Sequence, residues 1–218
     1  MNSDNPWLSW SYVQDHWREL IEAGVEHLGI TVAAIALACA LAVPLALLAR
    51  RYPSLSGSII GISGVLYTIP SLALISVLWP VFGLSPLTVV VALAVYALLV
   101  MVRAVLVGLS EVPTGTVDAA VGMGMSDREL LWRVQAPLAL PTVLAGLRIV
   151  TVSTVGMVTV GALVGYGGYG SMTLAGLYEN AYHAKIATAT ICVVLLALVL
   201  DALLLLLERQ VTPWTRGR

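Results

Sequence analysis

The sequence predicts an all-α, polytopic membrane protein with about five transmembrane helices. Three observations predict it. The 218 residues are 59% hydrophobic and only 11% charged, where a soluble domain carries about 25% charged residues. Several apolar runs reach about 20 residues, enough to cross about 30 Å of hydrocarbon as a helix. One polar island, Glu111 to Pro137, interrupts two long apolar spans and holds most of the chemistry that is left.

In chain order, the first element is Ser9 to Glu26. Trp10, Val13, Trp17, Leu20 and Ile21 recur at helical spacing, with Asp15, Arg18, Glu19 and Glu22 on other faces. This is the pattern of an interfacial helix anchored by tryptophans, or of a docking surface for an extracellular partner. Residues 1–26 therefore form an outer-side amphipathic segment. The stretch Met1 to Pro6 carries Asp4, no basic cluster and no apolar run behind it, so no cleavable signal peptide is expected.

The predicted spans are His27–Leu48, Ile59–Phe82, Pro86–Met101, Thr142–Val164 and Ile186–Leu207. They make residues 27–207 a transmembrane domain, interrupted by a loop at 109–141 and followed by a tail, 208–218. Lys and Arg near span ends favour the cytoplasm. Arg50, Arg51, Arg103, Arg128, Arg133, Arg148, Arg209, Arg216 and Arg218 fall on one side, and only Arg18 and Lys185 on the other. The N-terminus is then outside, and the island and the C-terminus are cytoplasmic.

Pro70, in Tyr67-Thr68-Ile69-Pro70-Ser71, kinks the second span. It is either a packing kink or a kink beside a solute path, with Tyr67, Pro70 and Ser71 as lining residues. Gly57, Gly61 and Gly64, and Gly156, Gly161 and Gly165 in the fourth span, are expected to let backbones approach closely. Cys39 and Cys192 sit in apolar runs without metal-ligand spacing and read as small core residues.

The island has its own local logic. Val117 to Val121 reads as a short helix with Ala119 and Ala120 on its surface, broken by Gly122 and Gly124. Ser126-Asp127-Arg128-Glu129 matches a capping box, opening a second helix. Pro137 and Pro141 are expected to stop that helix before the fourth span. Two short helices with a glycine hinge, small contact residues and a few charges suit rigid docking with another protein.

These residues resemble the cytoplasmic motif of permease subunits of bacterial ABC importers: Glu-Ala-Ala, three residues, Gly, nine residues, Ile, one residue, Leu-Pro. Asp118, Ala119, Ala120, Gly124, Val134, Ala136 and Pro137 fall on it, with Asp for Glu, Val for Ile and Ala for Leu. The resemblance covers nearly the whole chain. Thr68 to Leu74, Ala136 to Pro141, Ala145-Gly146-Leu147-Arg148 and the glycine run from Gly165 look like stretches of permeases of glycine betaine, carnitine and choline importers. It implies the type I ABC importer permease fold, with Asp118 to Gly124 as the coupling helix that docks on an ATPase. Gly122, Ser126, Arg128, Glu129 and Pro137 complete the expected coupling site.

The run Gly165-Tyr166-Gly167-Gly168-Tyr169-Gly170 fits a dinucleotide fingerprint only superficially, because no strand precedes it. It reads as a flexible turn at the outer mouth of the path. Tyr166 and Tyr169, with Tyr178 and Tyr182, form an ordinary interfacial belt or line an entry for a quaternary ammonium. Asp201 lies inside a span, a functional position by default; a structural ion pair with Arg103 or Arg148 is the favoured reading. His183 receives no ligand role.

No catalytic constellation, metal-ligand cluster or phosphate loop appears, and a net charge of −1 gives no support for nucleic-acid binding. The expected protein is a transport subunit in the bacterial inner membrane, not an enzyme. It holds no cofactor; ATP and Mg belong to two partner ATP-binding subunits. A second permease, identical or paralogous, and an extracytoplasmic solute-binding protein complete the expected set. The cargo is a small osmoprotectant, with methionine or an alkylsulfonate as the alternative, and a channel or intramembrane enzyme further off.

Overall fold

A computed structural model describes residues 5–215. Ten α-helices and three short irregular helical turns make up the described chain, with no strand among these residues. Arg216 and Arg218, two of the basic residues used for orientation, lie outside the described residues.

Helix α1 (Trp10–Asp15) opens on Ser9, whose hydroxyl accepts the Tyr12 amide. Helix α2 (Trp17–Arg51) follows at once and runs for 35 residues, about 52 Å at 1.5 Å per residue. The sequence suggested a separate element up to Glu26 and a new span at His27. The structure instead carries one helix through that boundary. Gly24 could have marked a break, but Tyr169 packs against its bare Cα and holds the helix there. Leu20 is buried with Met172 and Ala189, so this first part of α2 leans on its own chain.

The second expected span is broken rather than kinked. Helix α3 (Pro53–Thr68) and helix α4 (Ser71–Phe82) meet at 98°. Pro70 has no N–H, and it pushes Ile69 into extended backbone at φ −65°, ψ 127°. The Ile69 carbonyl freed by the break accepts from the Tyr96 hydroxyl, which removes the cost of leaving it unpaired in an apolar surround.

Helix α5 (Pro86–Ser110) is the centre of the molecule. It packs on α2 through a stripe of alanines, Ala34, Ala38, Ala42 and Ala46, every one fully buried. Facing them are Ala94, Ala97, Leu98, Met101, Val102 and Val105 of α5. Lipid tails are as apolar as leucine, so such helices associate by close van der Waals packing, which small residues permit. Helix α8 (Ala136–Val158) closes on the other side. There Gly146 abuts Ala104: a Cβ on it would lie 2.3 Å from the alanine methyl. Gly108 packs as tightly, against Ala139 and Thr142.

The glycines expected to make such contacts mostly do not. Gly57, Gly61, Gly64, Gly156 and Gly165 have nothing within 4 Å of a notional Cβ; only Gly161 is packed, against the Tyr166 carbonyl and Val89. Periodicity reports where small residues are but not which face has a neighbour, and α3 presents its glycines away from the rest of this chain.

The prolines at 137 and 141 do not end a helix either. Helix α7 (Asp127–Leu130), a π turn (Leu131–Gln135) and α8 run on as one rod. Pro137 sits in the first turn of α8, where a missing N–H costs little. The π turn occupies the stretch where that ring would press on the carbonyl four residues back. A 3₁₀ stretch (Thr159–Val164), helix α9 (Tyr169–Tyr178) and helix α10 (His183–Val211) complete the fold.

One ion pair joins the last two long helices. Arg148 of α8 donates Nε and Nη2 to the two Asp201 oxygens of α10 at 2.8 and 2.9 Å, and Nη1 lies 3.5 Å from Glu208. The structural pairing expected for Asp201 is thus with Arg148, in the bidentate geometry that guanidinium and carboxylate favour. Among the described residues, four helices are long and apolar enough to cross a membrane, five if α3 and α4 count as one broken span.

Candidate functional site: the loop between α5 and α8

The polar island leaves α5 at Ser110. Glu111 caps that helix and accepts the Thr142 hydroxyl at 2.5 Å, tying the start of the loop to α8. Helix α6 (Thr114–Gly122) begins three residues before the expected Val117, behind Pro113, whose carbonyl accepts the amides of Thr116 and Val117. Proline cannot donate and fixes its own φ, so it makes a natural point of entry.

The end of α6 follows from one glycine. Gly122 is its last helical residue, and Gly124 carries φ +82°. The Gly124 amide returns to the Val121 carbonyl at 2.9 Å and the Met125 amide to Ala120 at 3.2 Å. That pair of bonds is a Schellman ending, which needs a left-handed residue and so favours glycine. Gly124 alone therefore breaks the helix, and Gly122 does not.

The capping box is present. Ser126 Oγ accepts the Glu129 amide at 3.4 Å, and Glu129 Oε2 accepts the Ser126 amide at 3.1 Å. Arg133 stands 3.7 Å from Glu129 and Arg51, at the end of α2, 3.9 Å from Asp127. Both pairs are solvated, a setting in which such contacts contribute about 0–1 kcal/mol; they orient the loop more than they hold it.

The two alanines of the motif part company. Ala119 is exposed, while Ala120 is only 2% exposed and seats α6 on the rest of the chain. Asp118, Gly122, Gly124, Ser126 and Arg128 lie on the free surface, Glu129 and Pro137 are half-buried. Beside them, Val121, Met123 and Trp132 are exposed at 56%, 72% and 60%. Met123 and Trp132 did not stand out in the sequence; a tryptophan inside a polar island was the available signal. The loop thus offers bare apolar side chains next to charges, an arrangement typical of a protein contact.

The residues suggested for a solute path fall into two groups. Tyr67, Pro70 and Ser71 gather at the α3–α4 break, where Tyr67 is half-exposed and meets Tyr96 edge-to-face at 5.8 Å. Tyr166 and Tyr169 are elsewhere. Tyr166 packs beside Ile30, Val89 and Val158, and Tyr169 lies over His27 at 5.6 Å. From Gly167 onward the glycine run is closely packed rather than a loose turn, while Gly165 stays open. Gly168, at φ +53°, has the Ala23 carbonyl and His27 where a Cβ would go, and its amide donates to Glu26 Oε1 at 3.0 Å. His27, fully buried, bonds the Val155 carbonyl at 2.9 Å. Nothing in the sequence pointed to Glu26 or His27, because their partners lie over a hundred residues away.

Comparison with known proteins agrees with this architecture. Residues 29–213 match the family described as binding-protein-dependent transport system inner membrane component. The chain is 33% identical over 203 residues to a choline transport system permease protein of Bacillus subtilis, covering 93% of each. It is 33% identical to a carnitine transport permease protein of Listeria monocytogenes, again over 93% of both chains. Against an osmoprotectant import permease protein of Salmonella typhimurium it is 34% identical, over 93% of this chain and 96% of that one. Among solved structures, the fold superposes on a chain of the MetNI methionine ABC transporter with TM-score 0.82 at 23% identity, covering 91% of this chain and 98% of that one. A match on this scale, with the loop geometry above, places the chain in the family of inner-membrane components of binding-protein-dependent transport systems, as the permease subunit of an ABC importer.

Proposed function

We propose that this permease carries a small osmoprotectant: glycine betaine, carnitine, choline or proline betaine. The observation that carries the reading is the identity of 31–34% over at least 93% of the chain to permeases whose names specify choline, carnitine, glycine betaine or osmoprotectants. The path forms between this subunit and a second permease, identical or paralogous, in the bacterial inner membrane, with the N-terminus outside and the C-terminus in the cytoplasm. An extracytoplasmic solute-binding protein delivers the cargo.

The loop supports coupling to two ATP-binding subunits, which hold the ATP and Mg. Asp118, Ala119, Val121 and Met123 form the contact, Gly124 and the Ser126–Glu129 box fix its shape, and Pro137 continues it into α8. Closure of the ATPase pair favours one orientation of the path, a population shift by differential binding. Tyr67, Pro70 and Ser71, at the α3–α4 break, line the path in this reading.

The test is uptake of labelled choline, glycine betaine and carnitine by cells carrying the complete importer, with methionine as the comparison. Osmoprotectant uptake without methionine uptake is the expected result; the reverse overturns the substrate. Gly124→Val and Asp118→Leu are expected to abolish uptake and ATPase co-purification while membrane insertion persists. Normal co-purification in both would remove the coupling role from the loop.

A further inference from the structure

Two cavities meet where the membrane helices reach the loop. One, of about 610 Å³, lies among the ends of α2 and α5, the first half of α3, helix α6 and the π turn. The other, of about 400 Å³, lies between the end of α2 and α7. Arg50 and Gln135 line both. Gln135, the last residue of the π turn, is only 5% exposed, and its carboxamide bonds to no described residue. A buried amide without a partner is costly, and such a group in a folded protein calls for something that binds it.

The larger cavity is lined in two ways. Its polar part carries Arg50, Ser56, Ser110, Thr114, Asp118 and Gln135. Arg50 and Asp118 have opposite charges, yet neither lies within ion-pair distance of the other or of any described charge. Thr114 opens α6, so the positive end of that helix stands on the same wall. The Ser110 hydroxyl donates to the Val107 carbonyl at 2.8 Å, which leaves its oxygen free to accept. The remainder is apolar, with Ile60, Leu106 and Leu109 contributed by the membrane helices. A ligand that answers all of this has one anionic and one cationic group joined to an apolar part. No aromatic ring is among the described residues that line the cavity. The cation is therefore a hydrogen-bonding ammonium, since a quaternary one is held over aromatic faces.

We propose that this cavity binds the headgroup of phosphatidylethanolamine, a zwitterionic phospholipid with a primary ammonium, on the loop side of the membrane. Arg50, Gln135 and the start of α6 hold the phosphodiester. Asp118 and Ser110 accept from the ammonium, and the acyl chains leave along Ile60 and Leu106. A phosphatidylglycerol headgroup answers Arg50 but sets an uncompensated anion beside Asp118. Water-soluble phosphodiesters share the headgroup chemistry and lack the apolar part, so the two sources separate by experiment. Bound there, the lipid ties the coupling loop to the bilayer.

The experiment titrates the complete importer in detergent with phosphatidylethanolamine or with phosphatidylglycerol of the same acyl chains, and reads bound lipid by native mass spectrometry. The apparent dissociation constant is expected to be about tenfold lower for phosphatidylethanolamine, the ratio for one charge-assisted contact. Arg50→Gln and Gln135→Leu raise it about tenfold. Arg103→Gln, at an exposed arginine of α5 outside the cavity, leaves it unchanged. Gln135→Glu keeps the size and sets a carboxylate against the phosphate, so it raises the constant too and tests Gln135 even where leucine prevents assembly. Asp118 is left as it is because it also belongs to the coupling face. Equal affinity of the wild type for the two lipids, or a loss in Arg103→Gln as large as in Arg50→Gln, overturns the proposal. Displacement of the lipid by an equal concentration of glycerophosphoethanolamine overturns the lipid as the source and assigns the cavity to a soluble phosphodiester.

Discussion

Helices α5 and α10 are both long and apolar, yet they occupy opposite situations. In the most apolar stretch of α5, 61% of residues are buried inside the chain; in that of α10, none are. Helix α5 is enclosed by α2 and α8 through alanine and glycine contacts, and by α4 through Leu74 and Ile75 against Ala92 and Tyr96. Helix α10 buries only Ala184 and Ala189 near its start, and offers Leu195, Leu198, Val199, Leu203 and Leu206 to whatever surrounds it. Apolarity therefore measures compatibility with the membrane, while helices of one chain meet at particular small residues, Ala38, Ala42, Gly108 and Gly146 among them, and not at others such as Gly57. A charge contact, Arg148 with Asp201 and Glu208, also joins α10 to α8.

The largest expected effect tests the enclosed side. Gly146→Leu drives a side chain into Ala104, and overpacking of this kind costs about 1–3 kcal/mol or more; thermal unfolding of the purified subunit should show a large fall. Gly57→Leu, on an open face, should leave that midpoint near the wild type. Equal losses in the two variants would break the contrast. On the α10 side, Asp201→Asn removes the bidentate pairing and should lower the midpoint, while Arg148→Met with Asp201→Leu recovers part of the loss. A double variant as poor as the sum of its singles would show that the pair does not tie the helices. Smaller still, Tyr96→Phe deletes the donor to Ile69, a loss of about 1 kcal/mol, seen as faster hydrogen exchange around the α3–α4 break. Ser126→Ala, the least of these, weakens only α7, by about 1 kcal/mol, and should loosen the amides of residues 127–130 without moving global unfolding.

How much was legible follows the same division. The capping box at Ser126 and Glu129 was readable because its partners are three residues apart. The motif spacing from Asp118 to Pro137 was readable because it is fixed by one loop. The pairing of Asp201 was half readable: charges are scarce in these spans, which brought Arg103 and Arg148 forward as candidates without choosing between them. The continuous helix through Glu26, the break at Pro70 and the choice of Gly146 over Gly57 were not readable. Each depends on a neighbour distant in sequence: Tyr169 against Gly24, Tyr96 on the Ile69 carbonyl, Ala104 against Gly146. Prolines misled in both directions, since Pro70 broke a helix that was expected only to bend, while Pro141 sits inside one.

Helix α2 meets the glycine run through Glu26 near its start and the loop through Arg51 at its end. Those two contacts are separated by 25 residues of one helix, with only Pro44 interrupting its hydrogen-bond ladder. A stiff member of that length cannot absorb displacement locally. If its lower end tilts, its upper end swings with it, and the glycine run must either follow or let go of Glu26. A displacement of α2 is then to be looked for at the Gly168 amide, the donor to Glu26, as a faster hydrogen exchange there.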